Sequence, residues 1–512
     1  MDQRYLFETI PEDKLNSLTK EELKILLRGE QDLVSQQQKY IEKLHNKLTS
    51  SEQKSFLLEE QTMNIKHRLF GRSSEKSEKK DKSKKAKKTP RKKILLPSDR
   101  YPNIDIIEKD VTLDKLPSCP CCNKEMSDSG LTEDSEYLTI IPKKYYVVKQ
   151  KRHKYRCSGC HSSLVTTPAI PRIKPGSSFS DELVLDVSLS KYCDLIPVER
   201  YKKMAERSGV AGLPANTLIQ MTHNLADFLT PIYKKIKDEV IASKVIHADE
   251  TPHKMLEGDK SKNWFMWGFS SDKGAYFENQ GTRSGDVAID FLKGSNCDFL
   301  VSDVFSGYAR AVRELNIYRK ENNFNLAQTV YCNAHSRRKF KESLSSFEDE
   351  SKIFLWCYKK IYRIDKLIKQ EEIDFTKGRE WQRSYFKYME KMAVKIKTGN
   401  YSRKNSIMIA ANYFYNNFEE LSLFLKYKDV PIDNNSQERL MRSPVIGRKT
   451  WYGTHSKRGA TTNAILFSLV ESCKLNKINP REYFKEVVLS IHQNQGIFTP
   501  NEYLGFKSEN IA

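Results

Sequence analysis

Between Leu15 and Leu69 the chain is largely polar, and Val34, Ile41 and Leu48 recur at sevenfold spacing with Leu44 between them. That recurrence, in a stretch without proline, predicts a helix carrying a short coiled-coil seam. Ser51 and Ser55 fall on the seam and weaken it, so an ordinary amphipathic helix and a self-associating one both stay open. Lys76–Lys93 reads KSEKKDKSKKAKKTPRKK, with no apolar side chain larger than alanine. Such a run cannot bury enough surface to fold and predicts a disordered cationic linker able to touch phosphates without sequence preference.

From Lys244 the pattern changes to short strands: KVIHADET, WFMWGFSS and GAYFENQ, then an amphipathic helix over Asp286–Leu292, then FLVSDVFSGY. Three strands, a helix and a further strand, with an acid ending the first and fourth strands, predict a ribonuclease H-like α/β core. In the usual form of that sheet the first and fourth strands are neighbours, which would bring Asp249 and Asp303 within reach of shared metals. Both acids follow apolar runs (Val245, Ile246, Ala248; Phe299, Leu300, Val301), so both should emerge from the interior. A carboxylate there is costly unless paired, hydrogen-bonded or bound to metal. An aspartate at a strand end is by itself more often a cap. Pleat alternation turns the nearest competitors, Glu250 and Asp298, away.

TVYCNAHSRRKF predicts another strand leading to a basic helix, on which His335 and Arg338 share a face and could contact a phosphate. Cys332 and His335 look like half a metal site without a second half. Residues 341–430 contain no proline and keep Phe354, Cys357, Ile361, Ile364 and Ile368 in helical register, which predicts an all-helical insertion. Beyond it, Asp433, Asn434 or Asn435 can cap a helix lying between Pro431 and Pro444, with Asn434, Glu438 and Arg442 on one face. Glu438 is then either half of an ion pair with Arg442, worth about 0.3–0.5 kcal/mol, or a third metal ligand amid phosphate-holding Arg439, Arg442, Arg448 and Lys449.

Two C-x-x-C pairs, Cys119–Cys122 and Cys157–Cys160, flank an alternating stretch around Tyr145–Gln150 that predicts a strand. Four thiolates on two turns suit one tetrahedral structural zinc, with Cys121 as an alternative to Cys122. Residues 180–230 have the outline of a helix-turn-helix: Pro197 opens one helix, Ser208–Gly209 breaks it, and Pro214 precedes the next.

Lys and Arg outnumber Asp and Glu 87 to 66 over 512 residues, a formal charge of +21. So large an excess attracts polyanions and makes nucleic acid the favoured partner. No stretch approaches the roughly 18 apolar residues of a membrane span, and the N-terminus lacks the order of a signal peptide. A cytoplasmic, nucleoid-associated protein is expected.

LFGRSSEK, the two cysteine pairs, HADETP, SDVFSGY, NAHSRRKF, DNNSQERLMRSPVIGRK and ESCKLNKINPREYF together resemble the insertion-sequence-66 transposases of the TnpC type, across nearly the whole chain. The resemblance implies a DD(E) transposase of bacterial origin in which Asp249, Asp303 and Glu438 hold two Mg2+ or Mn2+ ions. It also implies terminal inverted repeats and target DNA as partners, a homodimer or higher synaptic assembly, and possible accessory proteins of the same element. Two metals suit in-line displacement at phosphorus because they activate the attacking oxygen and stabilise the leaving one. The family's pattern has glycine where this chain has Asn123 and Val304. The expected order is helical segment 1–75, linker 76–100, zinc-binding unit 101–175, helix-turn-helix-like region 176–240, core 241–340, helical insertion 341–430, core 431–470 and C-terminal element 471–512. The competing functions are a ribonuclease H-like nuclease or resolvase that cuts without joining, and a non-catalytic zinc-containing DNA-binding protein.

Overall fold

The computed structural model describes residues 96–509 apart from 103, 112–114, 116, 119, 127–134, 157, 159–163 and 257–262. The expected coiled coil, most of the cationic linker, and Cys119, Cys157 and Cys160 lie outside the described residues. The chain divides into two units, Ser73–Lys149 and the remainder.

Within Ser73–Lys149, Pro97 opens a single-turn helix, α1 (Pro97–Arg100), at a position whose N–H would be unpaired anyway. An antiparallel bridge between Ser118 and Glu125 closes the turn that carries exposed Cys121 and Cys122. Asn123 has φ 58°. That left-handed conformation is what glycine supplies freely, and asparagine adopts it at lower cost than most residues. The strand expected near Tyr145–Gln150 does not form. Tyr146, Val147 and Val148 are all exposed, so the alternation has no buried face to fix a register.

In the larger unit, a small hairpin pairs β1 (Lys154–Arg156) with β2 (Leu164–Thr166). Ser180 caps α2 (Asp181–Tyr192) by accepting the Leu183 N–H. Helix α3 (Val198–Arg207) follows Pro197 and stops before Gly209, which has φ 91°. Helix α4 (Ala215–Ile241) then buries Leu218, Met221, Leu225, Leu229, Ile232, Ile236 and Val240 along one stripe. Spacing of three and four explains the helix, and the length of the stripe makes α4 a spine of the core.

The central sheet joins β3 (Val245–Lys254), β4 (Asn263–Ser270), β5 (Ala275–Gln280), β6 (Phe299–Ser302) and β7 (Gln328–Tyr331) in the order β5-β4-β3-β6-β7. Strands β3, β4 and β5 are antiparallel, whereas β6 and β7 run parallel to β3. The crossovers pass through α5 (Asp286–Leu292) and α6 (Ser306–Glu321), and α7 (Asn333–Glu342) leaves β7. Phe269 and Phe291 stack at 3.7 Å in the core between sheet and α5.

A second apolar core gathers α8 (Glu348–Lys369), α9 (Phe375–Thr398), α10 (Ser406–Asn416) and α11 (Phe418–Ser422) around Phe354, Phe386, Phe414 and Phe424. The chain returns to the sheet in α12 (Asn435–Trp451), α13 (Lys457–Leu475), α14 (Pro480–His492) and α15 (Tyr503–Glu509). Sheet edge β5 is sealed by α13: Ala275 N–H donates to Ser472 Oγ at 2.9 Å and Phe277 N–H to Ser468 Oγ at 2.8 Å. Covering an edge in this way satisfies backbone groups that would otherwise recruit another strand.

Helix α12 does not end before Pro444 as expected but runs through it. An internal proline costs about 3 kcal/mol in propensity. Here Gln437, Leu440, Met441, Pro444 and Gly447 are all buried against the fold, and that packing outweighs the lost hydrogen bond.

Candidate active site

Asp249 is in mid-strand, not at the end of β3 as expected. Its parallel pairing with β6 stops at His247 opposite Val301, while its antiparallel pairing with β4 continues to Lys254. Asp249 therefore emerges where β3 and β6 part, and Asp303 follows the last residue of β6. The two acids come together because their strands are neighbours.

Both carboxyls are disfavoured as anions. Burial, then Glu250 and then Asp303 push Asp249 up to about 8, and Glu438 adds to the rise. Burial, then Glu250 push Asp303 up to about 6, with Arg283 opposing and Glu438 adding. Burying like charges together raises carboxyl pKa values unless a cation compensates. Asp303 Oδ1 is buried without a hydrogen-bond partner among the described residues. Hard oxygen donors of this kind fit a divalent cation.

Glu438 enters from the first turn of α12, and its position depends on close packing. Asp249 pairs with Gly268, where a Cβ would stand 2.7 Å from Met441 Sδ and would also meet Gln437. Glycine lets α12 lie against β4, bringing Glu438 into the field of Asp249 and Asp303. From α7, His335 Nδ1 lies 3.7 Å and Arg338 Nη2 3.9 Å from the Glu438 carboxylate. Burial, then Arg338, hold His335 below its ordinary pKa.

Cys332 also belongs to this corner. The ligand atoms of Cys332, His335 and Glu438 all fall within 4.8 Å of one another, and among the described residues no other such group of three occurs. The half-site seen in sequence thus acquires Glu438 as a third member. The Cys332 thiol, however, is fully buried and pushed up to about 12 by that burial, and it accepts the Asn434 N–H at 3.2 Å. That makes it a packing group more readily than a thiolate ligand.

Two residues beside these acids have other roles than their sequence positions suggest. Buried Asn434 accepts from His247 Nδ1 at 2.8 Å through Oδ1, and donates to the Ala248 carbonyl at 2.9 Å through Nδ2. It ties α12 to β3 one residue before Asp249, instead of sharing an open face with Glu438. Glu250 accepts from Arg283 at 2.6 Å and from the Tyr308 hydroxyl at 2.6 Å. Its carboxylate is engaged there, yet its charge reaches both aspartates. The doublet of adjacent acids was the sequence signal.

Of the basic residues expected around Glu438, Arg448 turns toward Thr251 Oγ1 at 3.5 Å, while Arg439, Arg442 and Lys449 are exposed. No helix among the described residues is long and apolar enough to cross a membrane.

Residues 176–462 match the family described as "Transposase IS66 family", and residues 117–161 match the "zinc-finger binding domain of transposase IS66". The chain belongs to the IS66 transposase family. The first match spans the sheet, the helical block and Asp249, Asp303 and Glu438 of this IS66-family chain. The second contains Cys119, Cys122, Cys157 and Cys160 and supports a structural zinc in this IS66-family chain. The uncharacterized proteins y4hP and y4jD of Sinorhizobium fredii are similar, at 25% identity over 77% of this chain and 74% of y4hP, and 23% over 72% of this chain and 74% of y4jD.

Proposed function

We propose that this chain is the DD(E) transposase of an insertion sequence, which cuts at the terminal inverted repeats of its element and joins the freed ends to target DNA. The observation that supports this reading is that Asp249, Asp303 and Glu438 arise from two neighbouring parallel strands and a helix docked on the same sheet and bear on one another electrostatically, without their ligand oxygens all lying within 4.8 Å of one another. The strand order β5-β4-β3-β6-β7, with the first three strands antiparallel and the last two parallel to the first, supports a ribonuclease H-like core. Along the chain the order would be helical segment 1–75, linker 76–100, zinc-binding unit 101–175, helix-turn-helix-like region 176–240, core 241–340, helical insertion 341–430, core 431–470 and C-terminal element 471–512.

Asp249, Asp303 and Glu438 would hold two Mg2+ or Mn2+ ions, which supply an activated attacking oxygen and stabilise the leaving one. His335 and Arg338 lie 3.7 and 3.9 Å from the Glu438 carboxylate, and both would meet a phosphate beside it. Arg439, Arg442, Arg448 and Lys449 lie along the same helix and would grip the strand by charge. Cys119, Cys122, Cys157 and Cys160 would bind one zinc with all four positions filled, which stabilises a fold and leaves none open for chemistry. Pairing of two element ends calls for a dimer or larger assembly.

The test is cleavage and joining of a labelled element end by the full chain with Mg2+ or Mn2+. Asp249→Asn and Glu438→Gln should keep end binding and lose both reactions. Cleavage by either variant would sink the triad assignment, and cutting without any joined product would favour a nuclease.

A further inference from the structure

Tyr452 is 71% exposed, more than any other large apolar or aromatic side chain among the described residues outside Ser73–Lys149. It is also in an unfavourable backbone conformation, φ 65° and ψ 8°, at the C-terminal cap of α12. Glycine takes that conformation freely, whereas for a bulky side chain it is an outlier that the surroundings must impose.

The surroundings do impose it. The Thr454 N–H donates to the Lys254 carbonyl at 3.0 Å, and the Leu256 N–H donates to the Thr454 carbonyl at 2.8 Å. His253 Nε2 meets Thr454 Oγ1 at 2.8 Å in the interior. Between them Gly453, at φ 114°, passes so close to β3 that a Cβ would stand 2.9 Å from the Lys254 Cβ. The residues after α12 are thus bound to the far end of the strand that carries Asp249, and Tyr452 is held out in solvent on a fixed mount.

Its neighbours give the mount a chemical character. Arg442, Ile446 and Lys449 recur at spacings of four and three and are all exposed, so they form one outward stripe on α12, and exposed Tyr452 follows directly after the helix. Ile446 is 50% exposed within it, and Leu256, hydrogen-bonded to Thr454, is 52% exposed. Glu438 is the sole acid between Asn435 and Trp451. Cations interleaved with an aromatic ring and aliphatic side chains, without acids, match a nucleic-acid strand: phosphates meet the cations and a base face meets the ring.

We propose that Tyr452 is a base-stacking post for the DNA strand that follows α12 away from the carboxylates. The inference rests on the transposase reading and adds a contact to it. Tyr452 lies fourteen positions beyond Glu438. At about 1.5 Å per helical residue and about 3.4 Å per stacked nucleotide, it meets the DNA roughly six nucleotides from the cut phosphate.

The experiment uses the full-length protein and a duplex taken from the element's own end, with 2-aminopurine placed singly at successive positions. Wild type and Tyr452→Phe should change the fluorescence of one position, roughly six from the cut. Tyr452→Gly should fold with an unchanged or higher Tm, because glycine suits the backbone, yet lose that signal and bind the duplex about tenfold more weakly. Equal binding and an unchanged fluorescence profile in Tyr452→Gly would overturn the post while leaving the transposase reading intact. So would a lowered Tm, which would assign Tyr452 to the fold or to a protein contact. Failure of the wild type to bind the element end would overturn both.

Discussion

Gly268 stands opposite Asp249 across the β3–β4 ladder, and the missing Cβ at Gly268 is what admits Met441 and Gln437 of the helix that bears Glu438. A backbone position with no side chain therefore sets how near the third carboxylate comes to the first. Gly268→Ala should destabilise the fold by about 1–3 kcal/mol, the usual cost of overpacking a filled core. It should also weaken divalent-metal binding. Thermal unfolding with and without Mn2+ checks this: a Tm shift on adding Mn2+ equal to that of wild type would show that α12 is not held by this contact.

The upward shifts of Asp249 and Asp303 make metal-free stability depend on pH. Protonation favours the folded state, so the contribution is complete below the unfolded aspartate pKa of about 4. It is lost as pH rises through about 6 for Asp303 and about 8 for Asp249. The metal-free protein should accordingly lose stability, seen as a falling Tm, between about pH 4 and pH 8. Mg2+ or Mn2+ should restore it at the alkaline end with release of protons, and Asp249→Asn should flatten the profile. A flat profile in the wild type would count against burial of the pair.

Asn434 joins three parts of the site, contacting His247, the Ala248 carbonyl and Cys332. Asn434→Ala leaves buried polar groups unpaired and should cost about 1–3 kcal/mol. Because the cut falls between β3 and α12, metal affinity should drop further than in a core variant of equal stability loss. Urea unfolding alongside Mn2+ titration separates the two effects, and proportionate losses would reduce Asn434 to a fold residue.

At Asn123, φ 58° predicts opposite outcomes for two substitutions. Asn123→Gly should retain one zinc per chain, whereas Asn123→Val should bind zinc less tightly, since a β-branched residue in the left-handed region costs roughly 1–2 kcal/mol more. Zinc content after graded chelation measures both. Equal retention by the valine variant would place the turn outside the metal site.

The sequence exposed the local features strongly. Periodicity located β3 to β6 and α5, because burial of one face leaves a repeat that needs no partner to be seen. It misjudged three places where the partner decides. Tyr145–Gln150 alternates but has nothing to pair with, α12 continues through Pro444 because its inner face is packed, and β3 extends past Asp249 because β4 goes on with it.

The acids themselves, the cysteine pairs and the cationic excess were determined by the chain alone, since residue type and spacing carry them. What joins Asp249 and Asp303 to Glu438 was decided only in three dimensions. Strand order, the close approach at Gly268 and the Asn434 crosslink are contacts between residues far apart in sequence, where no spacing rule reaches. The same holds for the charge coupling that raises the two aspartates: it depends on distance and burial, and those exist only once the sheet and α12 have packed.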